Sequence, residues 1–525
     1  MMCDKFNASY FSVAAFMTIT KNTLFHCVIA AIVIASYVVF LQPFIGKENF
    51  PRLPESFYQL QTEGFLWGQL NMSLDPDPVL ARLDNPYDPL ANGKYKVLDL
   101  TYYHHKYYLY FGPLPILTYF LPIKLFTGYH GAPALALFLY VAIGFIFNFL
   151  LIIKIRNDHF PTVAQWQVNL LGLMLGIANN TPYLQYRPRT YEIAIACAYA
   201  VMSIALYYLY KIFSNTFRAR DYYIFSTTLA LTVACRPHFT FVCVLLITIV
   251  SAYILLKAPK DKLKALLLAL WLPAMCLAAA LATYNYLRFD SIFEFGHTYQ
   301  LGKFNYLQLS NIPSDFYRLI PLQLYYYLLQ PYLVTKDFYI PELPTAWLAK
   351  LTDNTIYEPT IGLLATAPIV LMILYFGKFV RAYLNNKQAQ HLLWFQVTTV
   401  LFTAMMFAII CMVYYTSQRY VTDFLPYLLI ASIINLWFVQ THQLHAGFSL
   451  MIFKLFTAFA IAAGIVMGVQ MGLLAFHPAY GWVQLSILSQ CVLTMTVAFI
   501  VIAATLKLCR YLLENVHSKL ISART

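Results

Sequence analysis

The sequence predicts an all-α polytopic membrane protein: about twelve transmembrane helices, one further re-entrant or broken segment, and a cap of extracytoplasmic loops. Three observations lead there. Of 525 residues, 60% are hydrophobic and only 11% are charged. Many apolar runs reach the roughly 20 residues that a helix needs to span a bilayer. Lys and Arg gather in loops separated by two spans each, whereas Asp and Glu gather in two long loops, as the positive-inside bias leads one to expect of a multi-pass chain.

The same pattern excludes other classes. The net charge of +13 belongs to short loops rather than to a basic domain, so no nucleic-acid partner is expected. Most of the nine cysteines lie inside apolar runs, where Cys is a small apolar filler, and no CxxC pattern marks a metal or disulfide framework. No Walker loop, GxGxxG, GxSxG or HExxH occurs. His104 and His105 are adjacent, a spacing that cannot ligate one metal from one helix face. The sequence shows no metal-ligand set and no repeat of solenoid period.

In chain order, residues 1–23 carry Lys5 and Lys21 and should be cytoplasmic. The apolar run 24–44 is too long for a signal-peptide core and lacks a small-x-small cleavage site, so it reads as a retained anchor. Residues 45–106 form a first extracytoplasmic loop with eight acids: Glu48, Glu55, Glu63, Asp75, Asp77, Asp84, Asp88 and Asp99. Within it, residues 54–70 place apolar and aromatic side chains at helical spacing, which suggests a short helix on the membrane surface. Further spans are expected at 132–153, 163–184, 191–210, 222–237, 238–256, 265–285, 358–377, 391–414, 420–440, 452–475 and 483–508. Residues 285–357 form a second extracytoplasmic loop with six acids, on the same side as the first. One transmembrane domain over 1–525 with a loop cap is the simplest division.

Residues 107–127 decide the topology. A full crossing there would put Lys154 and every later basic loop outside. Pro113, Pro115 and Pro122 also disfavour an unbroken helix. The segment reads as re-entrant or broken; the competing reading is an ordinary Pro-kinked span.

Chemistry is expected near this segment. Glu63 and Asp99 are the candidate bases, since a carboxylate at a bilayer surface beside aromatics can have its pKa raised enough to act as a base. Asp84 and Asp88 look like turn-formers in DNPYDP, and Asp88 stays as a supporting residue with Tyr103 and Tyr108. Arg187, Arg189, Arg236 and Arg419, with Lys106, are candidate ligands for a lipid phosphate, because an Arg near hydrocarbon needs a partner or a ligand. Glu192 and Asp423 are their candidate partners; plain structural pairing would join Arg189 to Glu192 and Arg419 to Asp423.

The run DLTYYHHKYYLYFGPLP resembles a pattern of membrane glycosyltransferases of the GT-C superfamily, in a bacterial family-39-like branch, with His105 where Gly is usual. EGFLWGQL, YNYLRFDSIFEFG and QRYVTDFLPYLL also resemble segments of that branch, and the first puts Glu63 at the acid position. The paired acids of other members, close after the first span, are absent; Asn49 and Phe50 stand there. The resemblance implies a GT-C-like fold in a bacterial inner membrane. It also implies sugar transfer from a polyprenyl-phosphate donor to a glycan, lipid or protein acceptor. Glu63 or Asp99 would deprotonate the acceptor, and Arg187, Arg189 or Arg419 would hold the leaving phosphate. No cofactor is fixed by it: some members use a divalent metal and others do not. A transporter or lipid-linked flippase, and a non-catalytic scaffold of the same fold, remain as alternatives.

Overall fold

The computed structural model describes residues 3–41, 56–214, 216–307, 316–330, 356–358, 360–386, 389–412 and 415–473. The expected span at 483–508, residues Asn49 and Phe50, and most of the second acidic loop beyond 307 lie outside the described residues. The chain is an integral, multi-pass membrane protein built almost wholly of helices. Among the described residues, seven helices are long and apolar enough to cross a bilayer: Asn22–Leu41, Pro133–His159, Thr190–Phe213, Phe239–Lys257, Leu263–Phe289, Gln390–Cys411 and Gly447–Gly472.

The first helix, α1 (Cys3–Leu41), is followed by α2 (Phe57–Leu66), a short hairpin of β1 (Thr101–Tyr103) and β2 (Lys106–Tyr108), and α3 (Leu121–Thr127). Then come α4 (Pro133–His159), α5 (Gln165–Ile177), α6 (Thr181–Gln185), α7 (Thr190–Phe213), α8 (Ala219–Val233), α9 (Phe239–Lys257) and α10 (Leu263–Phe289). The rest comprises α11 (Phe316–Leu324), β3 (Ile356–Tyr357), α12 (Leu363–Thr366), α13 (Phe376–Leu384), α14 (Gln390–Cys411), β4 (Tyr415–Thr416), α15 (Leu425–Thr441) and α16 (Gly447–Gly472). The strands β3 and β4 pair in parallel over two residues.

Several expected spans are broken. The 163–184 run divides into α5 and α6 around Asn180, which is left-handed (φ 67°), and Pro182 then starts the new helix. The 358–377 run divides at Pro368, where a 3-10 segment, Pro368–Tyr375, separates α12 from α13. The 222–237 and 420–440 runs yield helices of 15 and 17 residues. Such interruptions are tolerated at membrane depth only where protein surrounds them. Here α15 is buried along nearly its whole length, from Leu425 to Val439.

The helix after the hairpin is too short to cross. A π turn, Ile116–Phe120, and α3 together span 12 residues. At 1.5 Å per residue that is about 18 Å, against roughly 30 Å of hydrocarbon. Its ends also stay on one side. At one end of α1 His26 meets Asn169 and Gln165 on α5, and at the other Tyr37 donates to the Gly176 carbonyl at 2.6 Å. The chain continues from that second end into α2, whose Gln59 donates to the Gly131 carbonyl just before α4. Helix α4 then runs to the opposite side, where Asp158 accepts from Tyr210 near the end of α7.

Two glycines permit close backbone contacts between segments distant in sequence. A Cβ on Gly112 would lie 1.8 Å from the Ala234 carbonyl oxygen, because residues 112–114 lie against the turn between α8 and α9. There Gly112 and Leu114 donate N–H groups to the Cys235 and Ala234 carbonyls at 3.3 and 3.1 Å. On α16, a Cβ on Gly468 would lie 2.1 Å from the Ile177 carbonyl oxygen; small residues at such sites let membrane helices approach.

Gly112→Ala is expected to lower stability by at least the roughly 1–3 kcal/mol of overpacking, since the clash is with backbone rather than a movable side chain. A thermal-unfolding scan of the purified protein measures this, and an unchanged transition would contradict the close approach. Topology is checked separately: a periplasm-active reporter fused near Gly131 is expected to be active and one near Asp158 inactive, and the reverse would make 107–127 a crossing.

Candidate functional site

The cap is built by backbone pairing between residues 97–108 and 296–302. Asp99 N–H donates to the Leu301 carbonyl at 3.0 Å, Leu301 N–H to Leu100 at 2.8 Å, and Tyr102 N–H to Tyr299 at 3.0 Å. Thr101 Oγ1 donates to the Gly296 carbonyl. The hairpin β1–β2 turns through His104 and His105, both with positive φ (45° and 60°), as a two-residue primed turn demands. Aromatic rings from both segments then pack on one another: Tyr103 lies 4.6 Å from Tyr299 and 5.8 Å from Phe289, and Tyr108 lies 5.3 Å from Phe289. The Tyr103 hydroxyl donates to Asp290. Tyr103 and Tyr108 thus build the cap, and Lys106 projects from it, exposed.

Asp99 sits at the inner edge of this cap. Its backbone is left-handed (φ 68°), a conformation that Asp tolerates better than most residues. The half-buried carboxylate accepts from the Tyr191 hydroxyl and from Gln300 Nε2, the latter at 3.3 Å. Tyr110, Tyr306 and Tyr420 surround the same space. Burial, then the charges of Tyr420 and Asp99, push the Tyr110 phenol well above its ordinary range, against the pull of Arg419 and Arg236. Burial and Asp99 push Tyr306 up to about 12. Tyr110 therefore lies within electrostatic reach of the acid and of both arginines.

Two buried ion-pair groups form the floor. Arg419 meets Glu192 and Glu358, each at 3.2 Å, and its guanidinium lies 4.7 Å from the Tyr191 ring. Glu358 also accepts from Tyr415 and Ser417. Burial alone would lower the Arg419 pKa; Glu192, Tyr420 and Glu358 outweigh it, and the group is held above its ordinary range. Arg236, in the turn between α8 and α9, pairs with Asp423 at 2.9 Å and lies 5.2 Å from the Tyr420 ring. His238 lies 3.4 Å from the same carboxylate, and burial, then Arg236, hold its imidazole below the ordinary range.

These contacts correct the expected local pairs. Asp423 points to Arg236 rather than to Arg419 one turn away, and Glu192 takes Arg419 rather than Arg189. The reason lies in the 3-10 turn Gln418–Asp423: i and i+4 do not share a face there as they do on an α-helix. Arg189 is exposed at the start of α7, and half-buried Arg187 lies over the Tyr186 ring at 4.9 Å.

Glu63 belongs to a separate cluster. Its carboxylate meets Lys124 Nζ at 2.9 Å and His130 Nε2 at 3.0 Å, joining α2 to α3 and to the start of α4. The surface helix expected at 54–70 is the shorter α2, with Ser56 and Gln59 forming a reciprocal cap at its start. Asp88 closes its own turn by accepting from the Leu90 N–H at 2.9 Å.

Three residues that matter here went unremarked in the sequence. Tyr191 and Gln300 hold Asp99, and only proximity in space reveals them. Glu358 left a signal: it is an acid at the edge of an apolar run, where an ionisable group is costly and calls for a partner. Arg288, a cation already visible in YNYLRFD, is buried and donates to the Leu109 carbonyl at 2.9 Å and to Asn285 at 2.8 Å, so it fixes the chain entering the broken segment. Among the described residues, no group of three or more His, Cys, Asp or Glu is placed to hold a metal ion.

No protein-family model matches the chain, and no curated protein matches it. Among solved structures it is similar to the crystal structure of ArnT from Cupriavidus metallidurans bound to undecaprenyl phosphate. The identity is 11% and the TM-score 0.38, over 91% of this chain and 77% of that one. So distant a likeness transfers no site.

Asp423→Ala is expected to cost about 3–5 kcal/mol, because it leaves the Arg236 guanidinium buried without its carboxylate. Lys106→Ala, at the exposed hairpin, is expected to stay within about 0.5 kcal/mol of the parent. Thermal shifts of the two purified variants compare them; equal shifts would show that the Arg236–Asp423 pair does not hold the floor together.

Proposed function

We propose that the chain is a membrane glycosyltransferase that moves a sugar from a polyprenyl-phosphate donor to an acceptor on the side of the membrane carrying the cap, in a GT-C-like fold. The observation that carries the reading is the placement of Asp99: a half-buried carboxylate among aromatic side chains, bonded to the hydroxyl of Tyr191, whose ring lies 4.7 Å from the Arg419 guanidinium. The motif resemblance around DLTYYHHKYYLYFGPLP supports the same class. Asp99 takes the proton of the acceptor hydroxyl. The oxygen attacks the anomeric carbon from the face opposite the donor phosphate, the carbon–oxygen bond to phosphate breaks, and polyprenyl phosphate leaves with the electron pair. The aromatic rings offer apolar faces beside polar groups, a lining suited to a small polar ligand with an apolar face.

Among the sequence candidates, Asp99 is favoured as the base over Glu63, whose carboxylate is already bound by Lys124 and His130. Arg189, exposed at the start of α7, is favoured for the leaving phosphate over Arg419 and Arg236, which are committed to carboxylates. That commitment also supports a second reading, a non-catalytic scaffold of the same class, since a fully paired floor holds its shape without a substrate. For the metal some relatives use, the chain supplies no cluster among its described residues.

Transfer in proteoliposomes, with a labelled polyprenyl-phosphate sugar, separates these readings. Asp99→Asn is expected to lower the rate by about 10²–10⁴-fold, the usual worth of a general base. Glu63→Gln is expected to retain most of it. Full transfer by Asp99→Asn would remove Asp99 as the base, and no transfer by the parent with any donor tried would favour the scaffold.

A further inference from the structure

At the end of the bundle away from the cap, two histidines from different helices face each other. His159 is the last residue of α4, and His391 lies in the first turn of α14. Their ring centroids are 4.7 Å apart and their planes are tilted by 42°. Aromatic neighbours hold the pair from the sides. Tyr210 on α7 packs edge-on with His159 at 6.2 Å and with Phe395 at 5.2 Å. Phe395 follows His391 by one turn of α14, so both lie on the same helix face. Phe160 meets the His159 ring at 6.4 Å.

These two imidazoles are polar groups that the chain itself does not satisfy. No hydrogen bond joins either ring to another described residue, and His159 Nε2 is buried from solvent. The nearby acid is engaged elsewhere: Asp158 takes Lys154 at 3.0 Å and the Tyr210 hydroxyl at 2.8 Å. A buried ring nitrogen with nothing opposite it is costly, and the lone pair of a neutral imidazole is what a metal ion uses.

The spacing suits one ion shared by both rings. A metal about 2.0–2.1 Å from one nitrogen of each imidazole sets the ring centroids roughly 4.5–5.2 Å apart, for angles at the metal between about 90° and 109°. The observed 4.7 Å falls inside that interval. Imidazole ligands select zinc, nickel or copper, whereas magnesium and calcium take oxygen ligands. Two histidines are fewer than the three or four protein ligands of catalytic and structural zinc sites, so water must complete the shell. Asn157 and Asp158, beside the pair, are exposed and leave a way in for water and ion.

We propose that His159 and His391 together bind one divalent transition-metal ion between α4 and α14, with water in the remaining positions. The ion clamps these two helices at the end of the bundle opposite Asp99. The site takes no part in the proposed transfer and does not depend on it.

Zn²⁺ titration of the full-length protein, purified without a histidine tag and stripped of metal by a chelator, tests this, with Mg²⁺ as the control. The parent is expected to bind one Zn²⁺ per chain in a calorimetric titration and to gain thermal stability from it, because an ion that binds only the folded state stabilises that state. Mg²⁺ is expected to do neither. X-ray absorption of the zinc-loaded parent is expected to show two imidazole nitrogens at about 2.0–2.1 Å. His159→Gln and His391→Gln, each made alone, are expected to weaken Zn²⁺ binding by at least about tenfold, since losing even an outer partner of a metal ligand costs about 10–100-fold. Replacing the adjacent His104 and His105 by Gln is expected to leave Zn²⁺ binding unchanged. Four results overturn the proposal: no Zn²⁺ binding by the parent, an equal response to Mg²⁺, Zn²⁺ binding that survives both single substitutions, or a metal shell without two imidazole nitrogens. The last is read on the parent and stands even should both variants fail to fold.

Discussion

Arg419 is the interaction on which the cap-side end of the bundle depends. A guanidinium taken from water is tolerable only if opposite charge and hydrogen bonds replace its hydration. Here Glu192 comes from the first turn of α7 and Glu358 from the residue after β3, while Arg419 itself follows β4. One side chain thus ties three parts of the chain that lie far apart in sequence. Tyr191 and Tyr415 flank it with ring faces, which adds cation–π attraction in a place that excludes water. The first turn of α7 also suits Glu192, because the helix dipole favours negative charge there. Tyr191, the neighbour of Glu192, then reaches Asp99, so the position of the candidate base is inherited from this ion pair.

The broken segment follows from the same need to satisfy polar groups. At Gly112 and Leu114 the N–H groups have no helical partner, and Pro113 and Pro115 carry no N–H. What remains is taken up by neighbours: the turn between α8 and α9 accepts from Gly112 and Leu114, and Arg288 donates to Leu109. The turn that receives Gly112 also carries Arg236, whose partner Asp423 lies one helical turn beyond Arg419 in sequence. The break in the helix and the two ion-pair groups are therefore parts of one arrangement, in which α7, the α8–α9 turn and the 3-10 segment 418–423 meet the strand that leads down from the cap.

Much of this was legible in the sequence, and the division has physical causes. Apolar run length and the alternation of Lys and Arg loops reveal spans and sidedness, because both reflect transfer into the bilayer and act residue by residue. Pro113 and Pro115 announced the break. Helix interruption at Asn180 and at Pro368 was harder to read, since an apolar run looks the same whether it crosses unbroken or bends among neighbours. The β1–β2 hairpin was hidden because His104 and His105 occupy the left-handed positions where Asn-Gly would normally signal a turn. Charge partners were the least legible: Arg236 with Asp423 spans 187 residues, and Arg419 with Glu192 spans 227. Local spacing favours i,i+4 pairs, and nothing in the linear order says that a 3-10 turn will send the two charges to different partners.

Charge balance constrains what the chamber can accept. Two guanidinium groups, Arg419 and Arg236, face four carboxylates: Glu192, Glu358, Asp423 and Asp99. With every acid ionised the group carries two negative charges in excess. A lipid phosphate brought into that floor would meet repulsion, and only cations outside the paired set could offset it. Those nearest in the chain are Arg189, exposed immediately before α7, and Lys96, whose ammonium donates to the Gly302 carbonyl at 2.8 Å beside the Asp99 segment. The balance therefore divides the arginines by task. Arg419 and Arg236 set the geometry of the chamber, and the rim, not the floor, is where a proposed phosphate would dock. Asp99 differs from the other three acids in being held by neutral donors, the Tyr191 hydroxyl and the Gln300 amide, rather than by a cation, so no ion pair has to open for an incoming hydroxyl to reach its carboxylate.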